Sequence, residues 1–500
     1  MENNDAILDI ETLEKIDELQ NMMRNINPDS FDQILETSTN IFSKSKEMLY
    51  SYFISLKSMS KTRKNSIELY KNLGDSILER FNFLTNDDKE SEQLSLFSKT
   101  NKKIEIKSNT GESESIFKKL AQAIQEDDSE QFQIILSHTN LNPNSEIIIT
   151  TINNDETDQK GTNSKNKENK EKHYTLIEYA AINSSINIFK FLTLNLGKSP
   201  NLNEKLYNDA IKGENFDIIH IIEKEYPQLI KQSSLYHAIT SHQNQISQYL
   251  LDNFDFIQID VKSGIKSVKS FNIEFLLKYL SSIKSNESKE KLTPLFLEAI
   301  KTRQLEMTKF LYSQFFNFIE INQNFYSKKL KRLTSPLIFS IKMKYNEIAI
   351  YLIHQKRIKI QFDEDEYEPN ALNEAIKTKN HQIIEEILKL PSIRINDLDF
   401  NYYAPIHYSI FVKDLDTFLM IIKVKNADIS LRGGSNETIF HYAAYNSFIE
   451  IFEYALKNFP EKLNLKAKNI YGIFKYFLMK LQLILLLKRI KLMFYVIFMN

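Results

Sequence analysis

Asn370–Leu390 reads NALNEAIKTKNHQIIEEILKL. Leu372, Ala375 and Ile376 share one helical face, and Lys377-Thr378-Lys379-Asn380 makes a turn. Ile383, Ile384, Ile387 and Leu388 then form the apolar stripe of a second helix, which Pro391 stops. The unit is two short antiparallel helices. Ala375 is small where the partner helix is expected to cross close to the backbone. One such pair cannot cover its own apolar face, so its stability must come from stacking on neighbours.

The neighbours recur along the chain. A small residue is followed seven positions later by an acidic or amide residue and then by apolar residues: Ala375 with Gln382, Ser409 with Asp416, Ala443 with Glu450. Ser340, Ala375, Ser409 and Ala443 follow one another at 35, 34 and 34 residues. A fixed period in this range is the signature of a stacked array. Upstream, Ala123 pairs with Glu130, Ala180 with Asn187, Ala210 with Asp217, Ala238 with Gln245, Ala299 with Glu306 and Ser340 with Glu347. The wide step from Ala123 to Ala180 holds TINNDETDQKGTNSKNKENKEK, residues 151–172, with one apolar residue. It cannot bury enough surface to offset its ordering entropy and reads as a disordered insertion. The step from Ala238 to Ala299 spans two units, the hidden one being the diverged segment with Phe271, Ile273, Phe275, Leu276 and Leu280. An insertion around Lys328-Lys329-Leu330-Lys331-Arg332 explains the long step to Ser340. About ten units result.

This pattern resembles the ankyrin repeat family. The family's Thr-Pro-Leu-His…Ala-Ala opening is matched best by Thr438-Ile439-Phe440-His441-Tyr442-Ala443-Ala444, then by Thr175–Ala181 and by Ala404-Pro405-Ile406-His407-Tyr408-Ser409. Asn426–Ser430 is similar to the family's inter-repeat finger. The resemblance is strong over 401–472 and loose before it. It implies protein binding through the concave face, without chemistry, and a structural role for His407 and His441 in tying the turn to backbone. The chain departs where the family has Gly between its helices. Asp127, Ser184, Glu214, His242, Arg303, Lys344, Lys379, Lys413 and Ser447 stand there instead, where the family's chain needs a positive φ, so irregular turns, short or absent fingers and a stack of uneven curvature are expected.

The fold expected is therefore all-α: an ankyrin-like α-solenoid of about ten helix-turn-helix repeats preceded by a helical hairpin or bundle. Residues 1–98 form the N-terminal helical region. Leu13 to Ile26, Phe31 to Leu56 and Leu69 to Leu84 follow helical spacing, and Pro28-Asp29-Ser30 marks a break with a fresh N-cap. A dimeric coiled coil is the second reading of this region, but its heptads are not sustained. Residues 99–114 read as a polar linker, 115–469 as the array with its insertion, and 470–500 as an apolar and basic tail.

Composition excludes much. The 500 residues contain 9 Gly, 10 Pro and no Cys, with a net charge of −1. Such a chain has no disulfide framework, thiolate metal site or cysteine nucleophile. The charge balance exerts no pull toward nucleic acid. Glu2, Asp5, Asp9 and Glu11 stand where a signal peptide would be basic and apolar, so a cytoplasmic or nuclear location is expected.

No catalytic, cofactor-binding or metal-binding residue emerges, and no residue is assigned to a partner. His237 and His242, five apart, point to different sides of a helix. The acidic or amide residue seven after each small one repeats once per unit, which suits the start of a second helix rather than a catalytic pair. Lys328, Lys329, Lys331 and Arg332 read as a solvated inter-repeat loop, with phosphate contact or nuclear import as the sharper alternatives. In the tail, Lys475, Lys480, Lys488, Arg489 and Lys491 interrupt the apolar run. Each central charge costs about 2.5–3.5 kcal/mol of insertion, which argues against a spanning helix. A tail packed on the last repeat, a helix lying on a membrane, and a terminus altered by a shifted reading frame are the readings left. The expected function is a non-enzymatic scaffold or adaptor binding a protein partner, with no cofactor and no nucleic acid. The alternative is a membrane-associated protein held through 470–500.

Overall fold

The computed structural model describes residues 9–43, 46–60, 63, 66–81, 102–108, 114–139, 141, 145–153, 170–195, 202–283, 288–361, 370–434, 436–446 and 448–458. The tail, and with it each reading of the tail, lies outside them. Two compact units divide the chain, Met1–Phe318 and Ile319–Asn500. Both are mainly helical, built around repeated helical hairpins, with a few short strands.

In the first unit, six helical hairpins follow one another: Glu114–Glu126 with Ser129–Ser137, Leu176–Ile182 with Ile186–Asn195, Glu204–Gly213 with Phe216–Glu225, Gln232–Thr240 with Asn244–Asn253, Val261–Ser270 with Ile273–Ser282, and Ser288–Lys301 with Leu305–Phe315. Among the described residues the second unit has four: Pro336–Lys342 with Asn346–Ile353, Ala371–Lys377 with His381–Leu388, Pro405–Phe411 with Leu415–Ile422, and Ile439–Tyr445 with Ile449–Asn458. Within each unit, first helices pack on first helices of successive hairpins. The diverged segment is the fifth hairpin.

The hairpin turn explains the repeating residues. Four residues after each small residue the backbone is left-handed: φ is +52° at Asp127, +63° at Ser184, +61° at Glu214, +56° at His242, +59° at Arg303, +59° at Lys344, +52° at Lys379 and +52° at Lys413. These are the positions where glycine was expected and missing. The fifth hairpin puts Phe271 there, at +54°; Ser447 lies outside the described residues. The next N–H then reaches back to the carbonyl of the small residue, as in Asn380 to Ala375 at 3.0 Å, Asp414 to Ser409 at 3.0 Å and Gln243 to Ala238 at 2.9 Å. Together with the bond from Lys379 N–H to Ile376 at 2.9 Å, this is a Schellman closure.

In five hairpins the residue after the left-handed one caps the second helix with its side chain; Gln243, Gln304 and Tyr345, at the same position, do not. Asp128, Asn215, Asn272, Asn380 and Asp414 accept from the N–H three residues on, at 3.0, 3.1, 3.2, 3.3 and 3.2 Å. Three of these amides also reach the preceding hairpin: Asn215 Nδ2 donates to Ser184 O at 3.3 Å, Asn272 Nδ2 to Ile239 O at 2.9 Å and Asn380 Nδ2 to Asn346 Oδ1 at 2.7 Å. The cap therefore lies five positions after the small residue, not seven. Glu130, Asp217, Glu306, Glu347, Asp416 and Glu450 sit in the first turn, where they face the helix dipole.

Ala375 is fully buried, at a point where neighbouring first helices stack. Ala375→Phe should force them apart and lower stability by about 1–3 kcal/mol. A denaturant curve that superimposes on wild type would exclude the close crossing.

Among the described residues four helices precede the array: α1 Ile10–Arg24, α2 Phe31–Phe42, α3 Lys46–Ser60 and α4 Ile67–Arg80. The second long helix expected from Phe31 to Leu56 is thus broken into α2 and α3, whose buried Ser38 and Tyr52 hydroxyls pair at 2.9 Å. These helices pack on the repeats. α1 lies against Ile273–Ser282, and α3 against Val261–Ser270 and Leu305–Phe315. Buried Gln20 donates to Phe271 O at 2.6 Å and to Ser55 Oγ at 3.1 Å, and accepts from Ile273 N–H at 3.2 Å. Arg24 pairs with Glu274 at 2.8 Å and Arg63 with Glu214 at 2.5 Å. Ser58 Oγ donates to Thr240 O, and the Arg303 guanidinium lies 5.7 Å from the centre of the Tyr50 ring. The bundle therefore follows the turn edge of the third to sixth hairpins.

Lys102–Ser108, placed in the polar linker by its composition, is strand β1. It pairs antiparallel with β2, Glu146–Asn153, which pairs antiparallel with β3, Lys170–Thr175. Partners include Ile106 with Ile149 and Ile148 with His173. The strands take in 151–153 and 170–172 of the insertion; 154–169 lie outside the described residues. KKIEIKS alternates with the period of a strand, a signal that its charge concealed. Among the described residues no helix is long and apolar enough to cross a membrane.

Candidate binding surface

In the second unit, loops lead into the first helices and lie over them. Asp399-Phe400-Asn401-Tyr402-Tyr403 is the most constrained. Asp399 N–H donates to Tyr403 O at 3.0 Å and Tyr402 N–H to Asp399 O at 2.7 Å. The Asp399 carboxylate accepts from Asn401 N–H at 3.0 Å, Tyr403 N–H at 3.1 Å, Asn373 Nδ2 at 3.4 Å and the Tyr408 hydroxyl. Asn373 and Tyr408 belong to the first helices of the eighth and ninth hairpins, so one carboxylate ties the loop to both.

Tyr403 anchors the loop inward, with its ring 5.0 Å from that of Phe411 and 5.6 Å from that of Tyr442. Phe400 and Tyr402 point the other way and are 46% and 65% exposed. Tyr402 holds a φ of +61°. This is the left-handed residue of a three-residue hairpin loop, a place that favours Gly or Asn.

Thirty-four residues later the same loop returns. Gly433 N–H donates to Glu437 O at 2.8 Å and Asn436 N–H to Gly433 O at 2.8 Å, with Asn436 at a φ of +55°. Its left-handed position carries the tolerant residue. The two loops lie side by side: a Cβ on Gly433 would stand 2.6 Å from the Tyr442 hydroxyl and 2.8 Å from the Tyr403 ring. One on Gly434 would stand 3.5 Å from Tyr402 Cβ.

Beneath the loops, the first helices carry a fixed ionic row. Glu374 pairs with Lys342 at 2.7 Å and Lys377 at 2.9 Å. Burial alone would raise the Glu374 carboxyl, but the two lysines hold it below its ordinary value. Lys377 Nζ stands 4.4 Å from the centre of the Tyr408 ring. Burial, and then the bond to Asp399, pushes the Tyr408 phenol up. The row is polar and preorganised, with its charges satisfied internally.

Lys328, Lys329, Lys331 and Arg332 form the tip and return of a β-hairpin, β4 Phe325–Ser327 with β5 Arg332–Thr334. Tyr326 and Leu333 are cross-strand partners, 60% and 65% exposed. Lys329 Nζ approaches the Tyr345 hydroxyl at 3.3 Å. His407 Nδ1 accepts from Ala404 N–H at 3.0 Å, and His441 Nδ1 from Thr438 N–H at 3.2 Å. Burial pushes the His407 imidazole down to about 4, so the ring is neutral and closes the start of its helix. Among the described residues no group of three His, Cys, Asp or Glu side chains is placed to hold a metal.

Sequence reading assigned no partner-binding residue. Phe400 and Tyr402 escaped it because nothing in the residue string marks a left-handed tyrosine. The signal available was the register: Tyr402 stands 34 residues before Asn436 in the same loop.

A family model described as Domain of unknown function (DUF3447) matches residues 197–279. The match runs over the third and fourth hairpins and most of the fifth, and so takes in Val261–Ser270 and most of Ile273–Ser282, on which α3 and α1 dock, but not the α3 contact with Leu305–Phe315. No curated protein matches the chain.

Proposed function

We propose that this chain is a non-enzymatic protein-binding scaffold, built of diverged ankyrin-type repeats and acting through its first-helix face and the loops above it. In an array of that type this is the concave face. The observation that carries the reading is Tyr402. A left-handed conformation costs an ordinary L-residue about 1–2 kcal/mol, and Asn436 shows how the same loop avoids that cost. Phe271 holds a similar backbone but is buried in a hairpin turn, whereas Tyr402 is exposed, and exposed, rigidly held aromatic rings are the usual anchors of protein interfaces. The ionic row around Glu374 suits recognition better than chemistry, since each of its charges has a partner. The internally balanced charge of the chain fits a protein partner rather than nucleic acid, in the cytoplasm or the nucleus.

Tyr402→Gly tests this in one molecule. Relief of strain, set against the extra chain entropy of glycine, should leave stability unchanged or raise it by up to about 1 kcal/mol. Capture of partners from cell lysate should meanwhile fall tenfold or more. A variant that retains its partners at wild-type level would remove Tyr402 from the interface. The second reading is attachment to a membrane through IFKYFLMKLQLILLLKRIKLMFYVIFMN, whose apolar and cationic content suits an anionic surface. Flotation with liposomes, with and without residues 470–500, separates the two.

A further inference from the structure

Two positions of the first helices carry the ionic row, the residue before the small one and the residue two after it. In the eighth hairpin these are Glu374 and Lys377, paired at 2.9 Å, and in the third they are Asp209 and Lys212, paired at 2.7 Å. The sixth hairpin repeats the order with Glu298 and Lys301. In the fourth and fifth the carboxylate is missing. His237 and Thr240 stand at these positions of the fourth hairpin, and Lys266 and Lys269 at those of the fifth.

Lys262 lies one turn before Lys266, so Val261–Ser270 carries three lysines at i, i+4 and i+7 and no acid. This spacing sets them on one side of the helix. Lys262 and Lys269 are exposed and Lys266 is half-buried. Lys262 Nζ lies 4.7 Å from the centre of the Tyr236 ring. Among the described residues the ammonium groups of Lys266 and Lys269 have neither hydrogen bond nor ion pair. Burial, and then Lys269 and Lys262, push the Lys266 ammonium below its ordinary value, while Glu298 works the other way. His237 supplies no countercharge. Burial, and then Lys212 and Lys266, push its imidazole down to about 4, so the ring is neutral. Asp260 is committed to the start of the helix, where it accepts from Ser263 N–H at 2.8 Å and from the Tyr236 hydroxyl.

Like charges three and four residues apart on a helix repel. The first helices of the fourth and sixth hairpins flank this one, and of the row positions on all three only Glu298 is acidic, against Lys266, Lys269 and Lys301. The row itself shows which anion suits the empty place, because a carboxylate occupies it in the third and eighth hairpins. The excess is also short. A long polyanion crossing this face would run past it onto Asp209 on one side and Glu298 on the other, whereas a few carboxylates on a peptide would not.

We propose that the first-helix face at the fourth and fifth hairpins binds an acidic segment of a partner protein, whose carboxylates sit beside Lys262, Lys266 and Lys269. Such a partner presupposes the scaffold reading but does not depend on Tyr402.

The test is fluorescence anisotropy of a labelled peptide of alternating glutamate and serine, titrated with the full chain at neutral pH and low salt. The peptide should bind saturably, with an affinity that falls about tenfold when salt is raised to about 0.3 M. Lys266→Glu gives the fifth hairpin the acid-then-lysine order of the third and eighth, so it should fold as wild type and weaken the peptide by about tenfold or more. Lys269→Ala, at an exposed position, should weaken it about threefold and decides the matter if Lys266→Glu melts early. Absence of saturable peptide binding would overturn the proposal, and so would binding that survives intact in both variants. Tighter binding of a single-stranded oligonucleotide or of phosphatidylserine vesicles than of the peptide would overturn it as well, assigning the patch to a longer polyanion. Failure of the peptide would leave the scaffold reading standing, since capture of proteins from lysate decides that separately.

Discussion

Gln20→Leu is expected to lower the stability of the Met1–Phe318 unit by about 2–3 kcal/mol and to detach the N-terminal bundle from the repeats. Gln20 is 1% exposed and stands at the turn of the fifth hairpin. Its amide accepts from Ile273 N–H, at the start of a helix where that donor has no partner within the helix, and donates to Phe271 O. Leucine fills a similar volume but leaves both backbone groups buried and unpaired. Each costs about 1–3 kcal/mol, offset in part by the apolar burial of the new side chain, about 1.5–3 kcal/mol. Amide hydrogen exchange should show protection lost first around residues 271–275. A variant that melts with wild type and keeps that protection would show that the bundle is held elsewhere.

The second large effect is a loss of stability as pH falls from about 6.5 toward 4.5. Burial pushes the His242 imidazole down to about 3, with Arg24 and Arg63 lowering it further, while its bond to Ser270 O at 3.0 Å works the other way. His407 in the second unit is pushed to about 4 by burial. Both folded values lie below the unfolded value near 6.5. The unfolded chain therefore binds more protons in this window, so the stabilisation is complete above pH 6.5 and is lost as pH falls toward the folded values. At pH 5 the loss is about 2 kcal/mol for each fully buried ring. Asp17 has the opposite sign: burial, and then Glu274, raises it to about 6, so its protonation below pH 6 recovers part of the loss. Glu374 and Asp414, held low by their partners, lose their contribution only below the ordinary carboxylate range. Asparagine accepts the left-handed backbone of position 242, so His242→Asn should reduce the pH dependence of the first unit, with His237, pushed down to about 4 by burial and then by Lys212, supplying the remainder. Denaturant midpoints at pH 7.5, 6 and 5 decide it: a flat wild-type profile, or an unaltered slope in the variant, would show that His242 titrates normally.

What the sequence disclosed was mostly local. The period placed the hairpins, but the missing glycines pointed to irregular turns, whereas Asp127, Ser184, Glu214, His242, Arg303, Lys344, Lys379 and Lys413 all keep the left-handed conformation, because the turn demands it of any residue there. Phe271 was placed in its unit but not recognised as the turn residue, although Ser267 with Glu274 seven positions later repeats the pattern, because the unit was read from its apolar residues alone. The cap at the fifth position was overshadowed by the more uniform residue at the seventh. The role of Gln20 was invisible, because its partners are about 250 residues away and an amide on a helix reads as solvent-facing. The separation of α2 from α3 has no mark in the local helical spacing. The candidate site was the least legible part. Phe400 and Tyr402 matter through exposure and backbone conformation, and neither is a property of a single position in a string.

The most direct test of the scaffold reading is affinity capture from cell lysate with two baits, the full chain and residues 1–469, read by mass spectrometry. A small set of protein partners shared by both baits is the predicted result. Membrane material retained by the full chain alone, with nothing on residues 1–469, would contradict it and assign the function to the tail.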